Sequence, residues 1–207
     1  MKKYDYIVFD LDGTIIDIRK KFYECYKDIV IHLDRVPIDS QQYWELRGEG
    51  MSGGKILEYT GMADIKTEFL AKWVNNIESK EMLRFDEVTC DLGAVIPAVK
   101  SANTQIILLT MRHNVENLMW QLDVLKIENY FDTIIAAGNR QVTDKLELFP
   151  TKIQGNVLVI GDTAADERFA EEIHADFIPV DSGLKKWKNG YSTLNDTIAE
   201  MEREEKR

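Results

Sequence analysis

The chain has 207 residues, 44% of them hydrophobic and 30% charged, with a formal net charge of −10. That length suits one domain plus an insertion, and that balance excludes wholesale disorder, a collagen-like repeat and a membrane protein. An acidic chain whose basic runs (19–21 and 185–188) are short repels phosphate backbones, so no nucleic-acid partner is expected.

The first apolar run is 6–10 (YIVFD). It is too short for a signal-peptide core or a bilayer span, so the chain reads as cytoplasmic with no membrane partner. Residues 17–84 then show helical periodicity. Phe22, Tyr26, Ile29, Val30 and Leu33 share one face, and Phe69, Ala71, Lys72, Trp73, Val74 and Ile77 form a less regular one. Turn signals fall at 37–40, at 48–54 and at Gly61, dividing the stretch into about four helices. Four more apolar runs follow, at 105–110 (QIILLT), 133–136 (TIIA), 157–162 (VLVIGD) and 176–180 (DFIPV). They are rich in Ile and Val and do not alternate with polar residues, which suits parallel strands covered on both faces. Helix-like stretches lie between them, clearest at 114–126 and 166–174. The expected fold is α/β: a doubly wound, Rossmann-like parallel sheet with an inserted α-helical domain. Residues 1–16 and 85–207 form the core, and 17–84 form the insertion. Residues 201–207 read as a solvated helix end or a frayed tail.

Two cysteines, Cys25 and Cys90, cannot make a disulfide framework and read as reduced thiols. His32, His113 and His174 lack the spacing of a metal site. Trp44, Trp73, Trp120 and Trp187 read as packing residues.

The chemistry-bearing residues cluster at predicted strand ends. Asp10 and Asp12, at i and i+2, leave the first strand on the same side, and Gly13 permits a tight turn there. The second strand closes on Thr110-Met111-Arg112. Gly161-Asp162-Thr163 closes the fourth, with Asp166 one helical turn further on, and Lys145 precedes that strand. Open α/β sheets bind ligands at the carboxyl ends of their strands. Clustered carboxylates want a divalent cation, and oxygen-only ligands favour Mg²⁺. A hydroxyl and an ammonium beside it suit a transferring phosphoryl group.

Taken in order, Asp10-Leu11-Asp12-Gly13-Thr14, Thr110, Lys145 and Gly161-Asp162-Thr163-Ala164-Ala165-Asp166 resemble the four motifs of the haloacid dehalogenase superfamily. The long helical insertion resembles the cap of its phosphoglycolate-phosphatase-like and β-phosphoglucomutase-like members. The resemblance implies an Mg²⁺-dependent phosphatase acting on a small phosphorylated metabolite through an aspartyl-phosphate. Asp10 would be the nucleophile and Asp12 the acid and base. Thr110 and Lys145 would bind the phosphoryl oxygens. Asp10, the main-chain carbonyl of Asp12, and Asp162 would hold the metal, with Asp166 in support. The family's dehalogenases lack the second Asp of the first motif, so Asp12 argues for phosphoryl transfer. Lys145 is followed by Leu146 where many relatives have Pro, and Arg140 and Lys152 are the other cations for that role. In the insertion, residues 48–54 with flanking Arg47 and Lys55 form a candidate substrate loop. Two competing readings are a phosphomutase or other phosphotransferase with the same first half-reaction, and a non-catalytic binding protein on the same fold.

Overall fold

A computed structural model of the chain describes residues 3–150 and 153–182, together with Asp196. Trp187, the basic run at 185–188, Lys152 and residues 201–207 lie outside the described residues. In chain order the elements are β1 (Tyr6–Phe9), β2 (Ile16–Asp17), α1 (Arg19–His32), α2 (Ser40–Gly48), α3 (Gly53–Tyr59), α4 (Lys66–Asn76), α5 (Lys80–Leu83), β3 (Glu87–Val88), α6 (Leu92–Val99), β4 (Gln105–Thr110), α7 (Val115–Val124), β5 (Thr133–Ala136), β6 (Val157–Gly161), α8 (Ala164–Glu172) and β7 (Asp176–Pro179). They form two compact units: Ile18–Asp86 is one, and the segments on either side of it form the other.

The second of these is built on a five-stranded sheet of order β5-β4-β1-β6-β7, with every pairing parallel. β1 is central, with Phe9 beside Leu108 on one flank and Ile160 on the other. Ile7, Phe9, Leu108, Leu109, Leu158 and Ile160 are fully buried, as strands covered on both faces require. Parallel pairing brings the carboxyl ends of all five strands to one edge. A two-residue antiparallel ribbon of β2 and β3 stands apart from the sheet.

Short side chains set where the helices begin. Asn114 accepts from the Asn117 amide, so the helix predicted over 114–126 starts at Val115. Lys126, at φ 59°, ends that stretch in the left-handed region. Thr163 and Asp166 cap each other's amides in a reciprocal capping box, so α8 starts at Ala164 and Asp166 stands in its first turn.

The helical unit packs α1, α3, α4 and their neighbours around aromatic rings. Tyr26 and Tyr43 lie 4.8 Å apart, and Phe69 stacks on Trp73 at 5.7 Å. Lys21 in the first turn of α1 meets Asp86 at 2.7 Å, which ties the entry of this unit to its exit. Cys25 is buried here, and that burial pushes its thiol up to about 12, so it packs as a small hydrophobe. Among the described residues no helix is long and apolar enough to cross a membrane.

Candidate active site

The chain leaves β1 through Asp10, whose amide still pairs with the carbonyl of Ile160, so the residue keeps its place at the sheet edge. The amides of Ile15 and Ile16 both reach the carbonyl of Leu11, at 3.0 and 3.1 Å, which folds the next residues into a tight loop. Gly13 makes that loop possible. Its φ is 87°, and a Cβ there would strike the carboxylate of Asp162. Gly161 is similar at the end of β6, since its added Cβ would meet Asp166. Two glycines thus let three backbone segments and their acids approach closely.

Asp10, Asp162 and Asp166 each place a carboxylate oxygen within 4.8 Å of the others. All three acids are buried. Lys145, at the start of a single 3-10 turn capped by Asp144, joins them: its Nζ donates to Asp10 Oδ1 at 2.5 Å and also to Asp166. Asp166 turns its other oxygen to the Thr163 amide and hydroxyl, at 3.0 and 2.5 Å. Ser182 donates to Asp162 Oδ2 at 2.7 Å, and Thr14 to Asp162 Oδ1 at 3.4 Å.

Three carboxylates face one ammonium, and the electrostatics follow. Burial raises Asp10 well above the usual carboxylate range. Lys145 pulls it back, and Asp166 and Asp162 push it further up. Burial also lifts Asp162, to about 7, against the opposing hydrogen bond from Ser182. Desolvation alone would lower Lys145, but Asp10 and Asp166 outweigh it and hold the ammonium charged. An all-oxygen donor set with this surplus of negative charge fits a hard divalent cation. Asp10 and Asp162 are the side chains to hold it. Both oxygens of Asp166 and both of Asp162 accept hydrogen bonds inside the protein, but only Asp166 of the two takes one from Lys145.

Asp12 pairs with Arg112. Nε donates to Oδ2 at 2.6 Å and Nη2 to Oδ1 at 2.7 Å, a bidentate fork across 100 residues of chain. The sequence marks Arg112 only as a cation beside a strand end; its partner follows from β4 lying next to β1. Ser182 was missed altogether, because a lone serine after the last strand carries no signal. Thr110 closes β4, is buried, and accepts from the Arg112 amide at 3.4 Å. Of the other cations considered, Arg140 gives its guanidinium to the carbonyls of Ala136 and Ala137, and Lys152 is outside the described residues. In the helical unit, Arg47 lies over the Phe22 ring at 5.6 Å and donates to the Met51 carbonyl at 3.2 Å. Lys55 is exposed on α3.

A family model described as haloacid dehalogenase-like hydrolase matches residues 7–180. No curated protein matches the sequence. Among solved structures, a predicted phosphatase from Clostridium acetobutylicum superposes with a TM-score of 0.69 at 16% identity, covering 98% of this chain and 100% of that one. A candidate β-phosphoglucomutase from Thermotoga maritima gives 0.65 at 17% identity, covering 96% and 98%. Protein Tyrosine Kinase A from Mycobacterium tuberculosis gives 0.69 at 16% identity, covering 93% and 92%. At these identities the likeness is one of fold.

Proposed function

The chain belongs to the haloacid dehalogenase-like hydrolases, and from that premise we propose that it hydrolyses a small phosphate monoester with Mg²⁺ as cofactor, through a phosphorylated Asp10. The observation that carries the reading is the meeting of Asp10, Lys145, Asp162 and Asp166 at the carboxyl edge of the sheet.

Lys145 opposes the effect of burial on Asp10, and a bound cation would add to that, favouring the carboxylate whose oxygen acts as the nucleophile. That oxygen forms the new bond to phosphorus as the ester oxygen departs. Asp12 gives its proton to the departing oxygen, and the alcohol leaves. Water then attacks phosphorus, Asp12 takes the proton of that water, and phosphate and free Asp10 are restored. Lys145 and the Thr110 hydroxyl hold the phosphoryl oxygens and offset their charge. Asp10, Asp162 and the main-chain carbonyl of Asp12 would hold Mg²⁺, which when bound supplies charge neutralisation for the phosphoryl group. Asp12 also separates this reading from carbon–halogen cleavage, a reaction with no leaving-group oxygen to protonate. Arg47 and Lys55, in the helical unit, are candidate contacts for an anionic substrate. The two free thiols, Cys25 and Cys90, support reading it as a cytoplasmic enzyme.

Phosphoryl transfer to a second substrate is the alternative. It is favoured by one observation: the same fold carries structures described as a phosphatase, a phosphoglucomutase and a kinase. A screen of phosphorylated metabolites for phosphate release, with and without Mg²⁺, tests both. Mg²⁺-dependent release supports the hydrolase. Loss of substrate without free phosphate, dependent on a bisphosphate primer or a second acceptor, overturns it in favour of transfer.

A further inference from the structure

We propose that Arg112 is a positioning residue that fixes the carboxylate of Asp12 in the orientation from which it exchanges a proton with the leaving group. The inference rests on the hydrolase reading, in which Asp12 is the acid–base group.

Asp12 sits three residues beyond Phe9, the last ladder position of β1, where a carboxylate would otherwise turn about χ1 and χ2. Arg112 removes that freedom. Its Nε and Nη2 engage both oxygens at 2.6 and 2.7 Å, and two parallel N–H···O bonds set the plane of the carboxylate as well as its distance. The arginine is itself held. Its amide donates to Thr110 Oγ1 at 3.4 Å, its carbonyl accepts from the Gly138 amide at 3.0 Å, and the next residue, His113, places its ring on the Gly138 carbonyl at 3.0 Å. The fork is therefore fixed to the end of β4, the strand that flanks β1.

Exposure shows which partner acts and which supports. The Asp12 side chain is 26% exposed and that of Arg112 is 6%. The acid presents a face outward while the guanidinium stands behind it. A lysine in place of Arg112 would keep the charge but offer a point donor, without the fork that sets the plane.

The test compares two leaving groups on the full chain with Mg²⁺. Single-turnover rates are measured for p-nitrophenyl phosphate, which departs with little help, and for phenyl phosphate, which needs a proton. Arg112→Lys and Arg112→Gln should each slow phenyl phosphate roughly 10- to 100-fold more than p-nitrophenyl phosphate, with KM nearly unchanged. Lysine should not rescue. In an Asp12→Asn background, Arg112→Lys should cost nothing further. Equal losses on both esters, a rise confined to KM, rescue by lysine, or full additivity with Asp12→Asn would each overturn the positioning role. Thermal melts of both variants accompany the rates, and a variant that does not fold is set aside for the other. Absence of a leaving-group effect in Asp12→Asn itself would overturn the acid–base reading instead, so the two failures are distinct.

Discussion

In the helical unit the buried charges cancel. Lys21 and Asp86 meet at 2.7 Å with side chains 1% and 0% exposed, and aromatic rings surround the neighbouring helices. In the α/β unit they do not: Asp10, Asp162 and Asp166 share Lys145, and two of the three acids are pushed up by burial. Burying an ion pair is close to neutral for stability, whereas burying a surplus of like charge is costly. A fold keeps the second arrangement where something else brings the missing charge. The difference separates a fastening from the candidate reaction centre.

The sharpest attempt to break this contrast is Asp10→Asn. If the surplus charge serves catalysis, turnover should fall by roughly 10⁴-fold or more, as when a covalent nucleophile is removed. Thermal stability should hold or rise, because one repelling carboxylate is gone. Phosphate release with near-normal turnover would erase the distinction.

Next in size is the fastening. Lys21→Met leaves Asp86 buried without its ammonium and should cost about 3–5 kcal/mol in urea unfolding. Replacing both, as Lys21→Met with Asp86→Leu, should recover most of that loss. A small effect of the single variant would mean that the pair is not what ties the two ends of the helical unit.

A third measurement concerns pH. Asp162 titrates near 7 in the folded chain and near the ordinary carboxylate range when unfolded. Between about pH 4 and 7 the folded state holds a proton that the unfolded state has lost, so this group makes the metal-free protein less stable as pH rises. Other acids work the opposite way: Asp132 is held below its usual range by its hydrogen bond from Lys100. The difference between wild type and Asp162→Asn isolates the effect. Metal-free melts of the variant should gain on wild type from pH 5 to pH 8, and Mg²⁺ should stabilise wild type more at pH 8 than at pH 5. A difference flat across that range would assign Asp162 to plain helix-end packing.

The smallest effect expected is that of Arg47→Ala. Its contact with the Phe22 ring is worth about 0.5–1 kcal/mol. Beyond that, KM for the true substrate should rise while hydrolysis of acetyl phosphate barely changes. Matching losses on both would make Arg47 a packing residue of the helical unit alone.

The parallel strands were legible because Ile and Val runs without alternation have few other uses, and the predicted runs at 105–110 and 133–136 coincide with β4 and β5. β2 and β3 were not, since two residues carry no periodicity. The acids of the site were legible because Gly beside Asp at a strand end is locally distinctive. Their partners were less so. Arg112 finds Asp12, and Ser182 finds Asp162, only through strand order, which no local pattern encodes. The sequence marks Lys21 only as part of a short basic run; its burial depends on Asp86, 65 residues away.

The central place of β1 has a consequence during synthesis. Tyr6–Phe9 emerge from the ribosome well before either flanking strand, Gln105–Thr110 or Val157–Gly161. The second flank arrives about 150 residues later, which at about 5–20 residues per second is roughly 8–30 s. Throughout that interval an apolar strand has at least one open edge, the template on which chains pair with one another. The helical segment that follows it can gather its own aromatic core in the meantime, but it contributes no strand to the sheet. Expression yield should therefore respond to translation speed and to chaperones that shelter nascent chains, with the folded protein's melting temperature unchanged.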